Sequence, residues 1–519
     1  MRPDGGTQTE TLMRRPTFAR PIAALLSLSA LLVPAVGAQQ ASERPAARPL
    51  GAAIATSEAM RAISAVRQLP GGRLLVNDPA SRRVVMLDSM MKIIKVVADT
   101  TPATQNAYGL RGGGILPWRG DSTLFLDPAS LSMLVLDPDG EIKRVMAAPR
   151  PDDVFSLVGG ALGYPGFDAR GRLVYRATGL NFPRRGGGGG GGGGAGGGAN
   201  LQPPSFPDTT PLVRFDLATR KLDTVAYIKV TAPRITFLEN EGRRQLSLTV
   251  NPLPEVDDWA MLPDGTVAIL RKDYHVDFID ADGKRTSSAR IPFDWQRLTD
   301  SAKTAIIDSV KALVERGGPG AGLQGLLGGG DGGGMGAGAF GGGFGGFPGG
   351  GGGGGFGGGR GNRGGGGGGG DGPPPPRRDA ATGGAAGGAA GGATPGGAAG
   401  GAGAGAAAGA RPGGGGGGGG RGFGPQVNMV QPNELPDYRP AFANGSVRAD
   451  ADGKLWVRII PTKPTGRGPE YDVIDRSGKL VDRVVLPAGT TIAGFGPGGT
   501  VYLGVRDAAG VHVVRARER

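Results

Sequence analysis

Short apolar runs recur along this chain, each opening directly after a turn. Six of them are GGRLLVND (71–78), DSTLFLD (121–127), RGRLVYR (170–176), DGTVAILR (264–271), DGKLWVR (452–458) and GGTVYLGVR (498–506). Counted between Gly72, Ser122, Gly171, Gly265, Gly453 and Gly499, they are 50, 49, 94, 188 and 46 residues apart. A second marker follows in five units: an apolar strand ending in aspartate, at Asp88, Asp137, Asp216, Asp280 and Asp475. A short turn such as DPDG or DADG comes next, then another apolar strand. Each unit therefore predicts four short antiparallel strands, a to d, joined by turn residues.

Four-strand repeats at this period predict an all-β protein, a six-bladed β-propeller of four-stranded antiparallel blades over residues 46–519. The sixth unit stops after its third strand. The stretch ARPLGAAIAT (47–56), ahead of the first unit, is expected to supply the missing strand and close the ring. The units fit neither kelch-type diglycine blades nor a tryptophan–aspartate repeat. Through the DG-x-hydrophobic b strands and the hydrophobic-D-x-x-G turns, the chain resembles the broad NHL/TolB-like six-bladed propellers across roughly residues 50 to 519. The resemblance implies ligand binding or scaffolding, and in some members hydrolytic or lactonase-like chemistry.

The two long spacings hold glycine-rich blocks, 186–199 and 317–424. Glycine makes up 105 of the 519 residues and is concentrated there. Ordering a residue costs about 1–2 kcal/mol, and glycine has no side chain to bury in return, so both blocks are expected to stay disordered. Between the fourth and fifth units lies a helical pattern, 297–316. Ile306, Val310, Leu313 and Val314 share one side, Thr299 or Asp300 can cap the start and Gly317 can end it. Its apolar side is expected to pack onto the propeller. All the a–b and c–d turns are short, while every insertion falls in a b–c loop or between units, so one face of the propeller carries all the elaboration.

Residues 1–38 read as a signal peptide. Arg14, Arg15 and Arg20 precede the apolar run Ile22–Val33, and a small-residue site ends at Ala38. Met13 is an alternative start to Met1. The run is too short to span a bilayer, which needs about 20 residues. An exported protein, periplasmic or extracellular, not membrane-spanning and monomeric, is expected. The chain has no cysteine, which excludes disulfides, thiolate nucleophiles and cysteine metal ligands.

Charge changes the picture only in part. The net charge is +13, but the long tract holds only Arg360, Arg363, Arg377, Arg378, Arg411 and Arg421 against Asp331, Asp371 and Asp379. That is too dilute for phosphate-backbone recognition, so no nucleic-acid partner is expected. The overall charge favours an anionic glycan or small molecule, or an acidic protein or peptide.

Catalytic signatures are sparse. The two histidines, His275 and His512, lie far apart, and there is no HExxH, GxSxG or phosphate loop. The DADG segments at 280–283 and 450–453 lack the distal glutamate of a calcium loop and read as tight turns. No cofactor and no metal ligand set is assigned; calcium is the one ion considered, for a calcium-dependent form of the lactonase-like alternative. Three roles compete: a ligand- or protein-binding scaffold, a propeller hydrolase or lactonase, and an envelope-associated structural protein acting through its glycine tract. The enzyme question leans towards no. The site expected for the first role lies where the b strands end on the elaborated face. There Arg176, Arg271 and Arg458 would receive an anionic group, opposite Asp78 and Asp127, with Asn77 and Arg506 completing the ring. Trp259 and Tyr438 would stack on a sugar or aromatic ring.

Overall fold

The computed structural model describes residues 44–177, 207–232, 234–240, 243–327, 426–462 and 468–518. Residues 1–38, read from the sequence as a signal peptide, the 186–199 block and the long tract beyond residue 327 lie outside them. The described chain is mostly β and is organised as a β-propeller, in antiparallel four-stranded units.

Among the described residues six such units are found, each centred on one of the apolar runs above. The first comprises Ala65–Gln68, Leu74–Asp78, Arg83–Leu87 and Ile93–Ala98. The second comprises Gly114–Pro117, Thr123–Asp127, Ser132–Leu136 and Ile142–Ala147. The third is Gly166–Phe167, Leu173–Arg176, Thr209–Phe215 and Leu222–Lys229. The fourth is Asp258–Met261, Val267–Leu270, Val276–Ile279 and Arg285–Ser287. The fifth runs Phe442–Ala449, Leu455–Ile459, Glu470–Ile474 and Leu480–Val485. The sixth has Thr490–Gly496, Thr500–Arg506 and Val511–Arg517, with Ala53–Thr56 as its outermost strand.

That outermost strand comes from the other end of the chain and pairs antiparallel, Ala53 against Ala516 and Thr56 against Val514. The stretch expected to close the ring divides in two, however. Arg48–Pro49 runs parallel to the last strand of the fifth sheet, opposite Val484 and Val485.

The b strands are apolar on both sides because both sides are buried. Leu74 and Val76 pack into a cluster with Tyr502 and Val513 of the sixth sheet, while Leu75 between them faces Phe125 and Leu134 of the second. Successive strand residues point to opposite faces, so one strand serves two neighbours. Further clusters join the second sheet to the third, the third to the fourth, the fourth to the fifth and the fifth to the sixth. The sixth and first sheets meet closely: at Gly494 a Cβ would collide with the Val66 carbonyl.

One module departs from the expected plan. Arg234–Asn240 and Arg243–Val250 form a hairpin, and Gln426–Met429 joins it in parallel, Ser247 opposite Gln426. The helix runs Asp300–Leu327, past the glycine expected to end it. Its Ile307, Val310 and Val314 pack on Ile235, Leu248, Val250 and Met429 of this small sheet, not on a blade. Both insertions connect the last strand of one four-stranded unit to the first strand of the next, which keeps them on the elaborated face. Among the described residues no helix is long and apolar enough to cross a membrane.

Candidate functional site

The aspartates of the short turns, Asp280 between the third and fourth strands of its sheet and Asp450 between the first and second of its own, are local turn formers. Asp280 Oδ1 accepts the N–H groups of Asp282 and Lys284, each at 2.9 Å, and Asp450 Oδ1 accepts those of Asp452 at 2.9 Å and Lys454 at 2.8 Å. The DADG segments are thus tight turns, as read from the sequence. In the same position Asp216 is held below the usual carboxylate range by the N–H groups of Thr219 and Ala218. The plain face uses its carboxylates to shape the backbone.

At the b-strand ends the expected ring is largely spent on internal bonds. Asn77 is buried, donating to Ser64 Oγ at 2.8 Å and the Gly113 carbonyl at 2.7 Å, and accepting from Tyr108 Oη at 3.0 Å. Asp78, also buried, accepts the Ala62 and Ser81 N–H groups and pairs with Arg83. Asp127 takes the N–H groups of Ala129 and Ser130. Trp259 is 1% exposed and donates Nε1 to the Leu162 carbonyl at 3.1 Å, so it is packing and offers no stacking face. Arg458 is half-buried opposite Tyr471, and Arg506 is exposed opposite Val511. Tyr438 is 49% exposed, as is Trp295 at 43%, an aromatic the sequence reading did not single out. Asn77, Asp78 and Asp127 are thus each held in a separate local network.

Two of the arginines keep a distinctive setting. Arg176 ends the second strand of the third sheet, is half-buried, and donates no hydrogen bond to any described residue. Desolvation pulls its pKa down to about 10, opposed by attraction to Asp258. Asp258 opens the first strand of the fourth sheet and is 2% exposed. It accepts the Trp259 N–H on Oδ1 and the Val447 N–H on Oδ2, both at 2.9 Å. Burial nevertheless pushes it up to about 7, with those backbone bonds and Arg176 acting the other way. The doublet Asp257–Asp258 at the head of a buried strand was the available sequence signal for this carboxylate.

A glycine-rich segment, 158–164, threads between the first strands around this pair. Val158 lies against Gly114, the Ala161 carbonyl accepts Asn444 Nδ2 at 2.6 Å, and Tyr164 bridges to Ala260. The Arg448 guanidinium sits over the Tyr164 ring, 4.3 Å from its centroid. The segment ties the second, fourth and fifth sheets together beside Asp258.

Arg271 instead faces the boundary of the third and fourth sheets. Its Nε donates to Asp277 at 2.6 Å, and its Nη1 to Asp257 at 2.8 Å and the Tyr227 carbonyl at 3.1 Å. Adjacent strand residues point to opposite sides. Asp257 thus serves this boundary and Asp258 the other. Among the described residues no three acidic or histidine side chains converge as a metal-holding group.

No known protein family matches the chain, and no curated protein matches it by sequence. Among solved structures it is similar to a catalytically inactive virginiamycin B lyase from Staphylococcus aureus, at 11% identity and a TM-score of 0.23, over 45% of this chain and 56% of the lyase. A gluconolactonase from Xanthomonas campestris aligns at 13% identity and a TM-score of 0.22, over 48% of this chain and 91% of the other. The calcium-binding protein regucalcin from Agrobacterium tumefaciens aligns at 9% identity and a TM-score of 0.32, over 91% and 97%. None of these likenesses assigns a reaction, a ligand or a metal to this chain.

Proposed function

We propose that this is an exported six-bladed propeller of the broad NHL/TolB-like type that binds an anionic ligand, through Arg176, on its loop-elaborated face. Six interface clusters that run in a cycle support the blade count. One observation carries the ligand class: a half-buried guanidinium that spends none of its donors on the described protein. A guanidinium presents five N–H donors in a planar fork that matches a carboxylate or phosphate. A charge-assisted bond of this kind contributes about 1.5–3 kcal/mol.

Titrating the protein with carboxylate- and phosphate-bearing sugars and peptides at low salt tests this. Arg176→Ala is expected to weaken binding by roughly 10- to 100-fold with an unchanged melt, and Arg176→Lys to restore part of it. Equal affinity in Arg176→Ala would end the proposal.

A second reading rests on Asp258. A carboxyl group titrating near 7 beside a cation has the properties of a general acid or base. It would make the protein a hydrolase of lactones or esters, with or without calcium. Hydrolysis that disappears in Asp258→Asn, and a melting temperature that rises with calcium, would favour it over simple binding.

A further inference from the structure

The boundary between the third and fourth sheets holds a cleft of about 570 Å³, distinct in its lining from the Arg176–Asp258 pair. Lys229, Arg271, Lys272, Arg285 and Arg290 line it, with Asp257, Asp273 and His275. We propose that this cleft is a second anion site, fitted to a sugar-sized molecule bearing a phosphate or carboxylate group.

The argument is a count of donors against acceptors. Asp257 is engaged from within by three donors: its Oδ2 accepts the Lys229 N–H at 3.0 Å and Arg271, and its Oδ1 accepts the Lys272 N–H at 3.0 Å. Asp277, behind the cleft, accepts Arg271 and Arg285, each at 2.6 Å, and Ser287 Oγ at 2.5 Å. Asp273 meets His275 Nδ1 at 2.7 Å and Arg290 at 3.2 Å.

The cations are less committed. Arg285 donates to described residues only through Nη2, Arg290 only to Asp273, and the Lys229 ammonium pairs with no described residue. Arg285 and Arg290 keep 53% and 77% of their side chains exposed. The carboxylates therefore orient the arginines without using up their outward N–H groups. A cation entering the cleft would find each carboxylate already facing arginine or backbone N–H groups; an anion would find donors in surplus.

His275 supplies a local reporter. Its Nδ1 is held by Asp273 and its Nε2 lies 3.6 Å from Asp277 Oδ1. The chain has only two histidines, so its imidazole signals are assignable by comparison with His275→Gln.

The experiment titrates the full chain with inorganic phosphate, a sugar phosphate and a uronic acid at low salt. It follows affinity by calorimetry and the His275 ring by NMR. Saturable shifts of the His275 resonances are expected with the phosphate-bearing probes, the uronic acid or both, which settles the anion class. Lys229→Ala with Arg290→Ala should weaken that binding roughly 10- to 100-fold and leave the melt unchanged. Arg290→Lys alone should retain most of it. Arg176→Ala should leave the His275 shifts intact, which separates this cleft from the site proposed above. Unmoved His275 resonances with all three probes, or undiminished binding in the double variant, would overturn the assignment.

Discussion

Asp258 sits between two opposing influences: the backbone N–H groups of Val447, Trp259 and Ser446 that favour its charge and a buried setting that opposes it. Burial wins, and the folded pKa stands at about 7 against an ordinary 3.8. The sign of the consequence follows from where the proton goes. Between these values the unfolded chain releases the proton while the folded protein keeps it, so stability from this group falls as pH rises and is fully lost above about 7. The span amounts to about 4 kcal/mol at most. Denaturant melts at pH 5 and pH 8 should therefore show a smaller difference in Asp258→Asn than in wild type, and an equal difference would show that the carboxyl titrates normally. The same residue sets ligand affinity. An ionised Asp258 competes for Arg176, so anion binding there should weaken as pH rises through about 7, and the asparagine variant should bind with little pH dependence. Little of this was legible in the sequence. Asp78 and Asp127, at the far ends of their strands, are buried carboxylates as well, and no residue pattern separates a carboxylate held by its own turn from one left at the mercy of burial.

Short elements were more legible than their partners. The strand–turn–strand units followed from period-two apolar runs bounded by aspartate and glycine, because a turn needs only local chemistry: a side chain capping its own backbone N–H groups and a residue at ease with positive φ, such as Gly283 or Gly478. The helix followed from its spacing for the same reason. Its docking surface did not. The small sheet beneath it joins Arg243–Val250 to Gln426–Met429 in parallel, and no local signal links strands separated by the whole long tract. This module shares its core with no blade cluster, so it should lose stability on its own. Ile307→Ala removes a side chain that is 4% exposed and should cost the module about 2–5 kcal/mol. Hydrogen exchange is expected to speed up in 234–250 and in the helix while the four-stranded sheets keep their protection. Uniform acceleration across the chain would show that the module and the blades unfold together.

At the scale of the molecule, stability depends on how the ends of the chain meet. The outer strand Ala53–Thr56 covers the edge of Val511–Arg517, and Ser57 completes the join: its N–H donates to the Val513 carbonyl and its Oγ accepts the Val513 N–H, both at 2.9 Å. Further back, Leu50 is buried between the fifth and sixth sheets, and Arg44 bonds the buried Asp472 at 2.9 Å. Two perturbations of different size separate this closure from ordinary edge pairing. Ser57→Ala leaves the buried Val513 N–H without its acceptor and should lower global stability by about 1–3 kcal/mol, still in one cooperative transition. Deleting residues 39–56 does more, because it bares the edge of Val511–Arg517, uncovers the Leu50 pocket and leaves Asp472 without one of its cations. That variant should melt far lower and associate with rising concentration, seen as a shift to larger species in size-exclusion chromatography. A truncated protein that stays monomeric and melts at the wild-type temperature would show that the remaining sheets hold the ring without the strand from the other end.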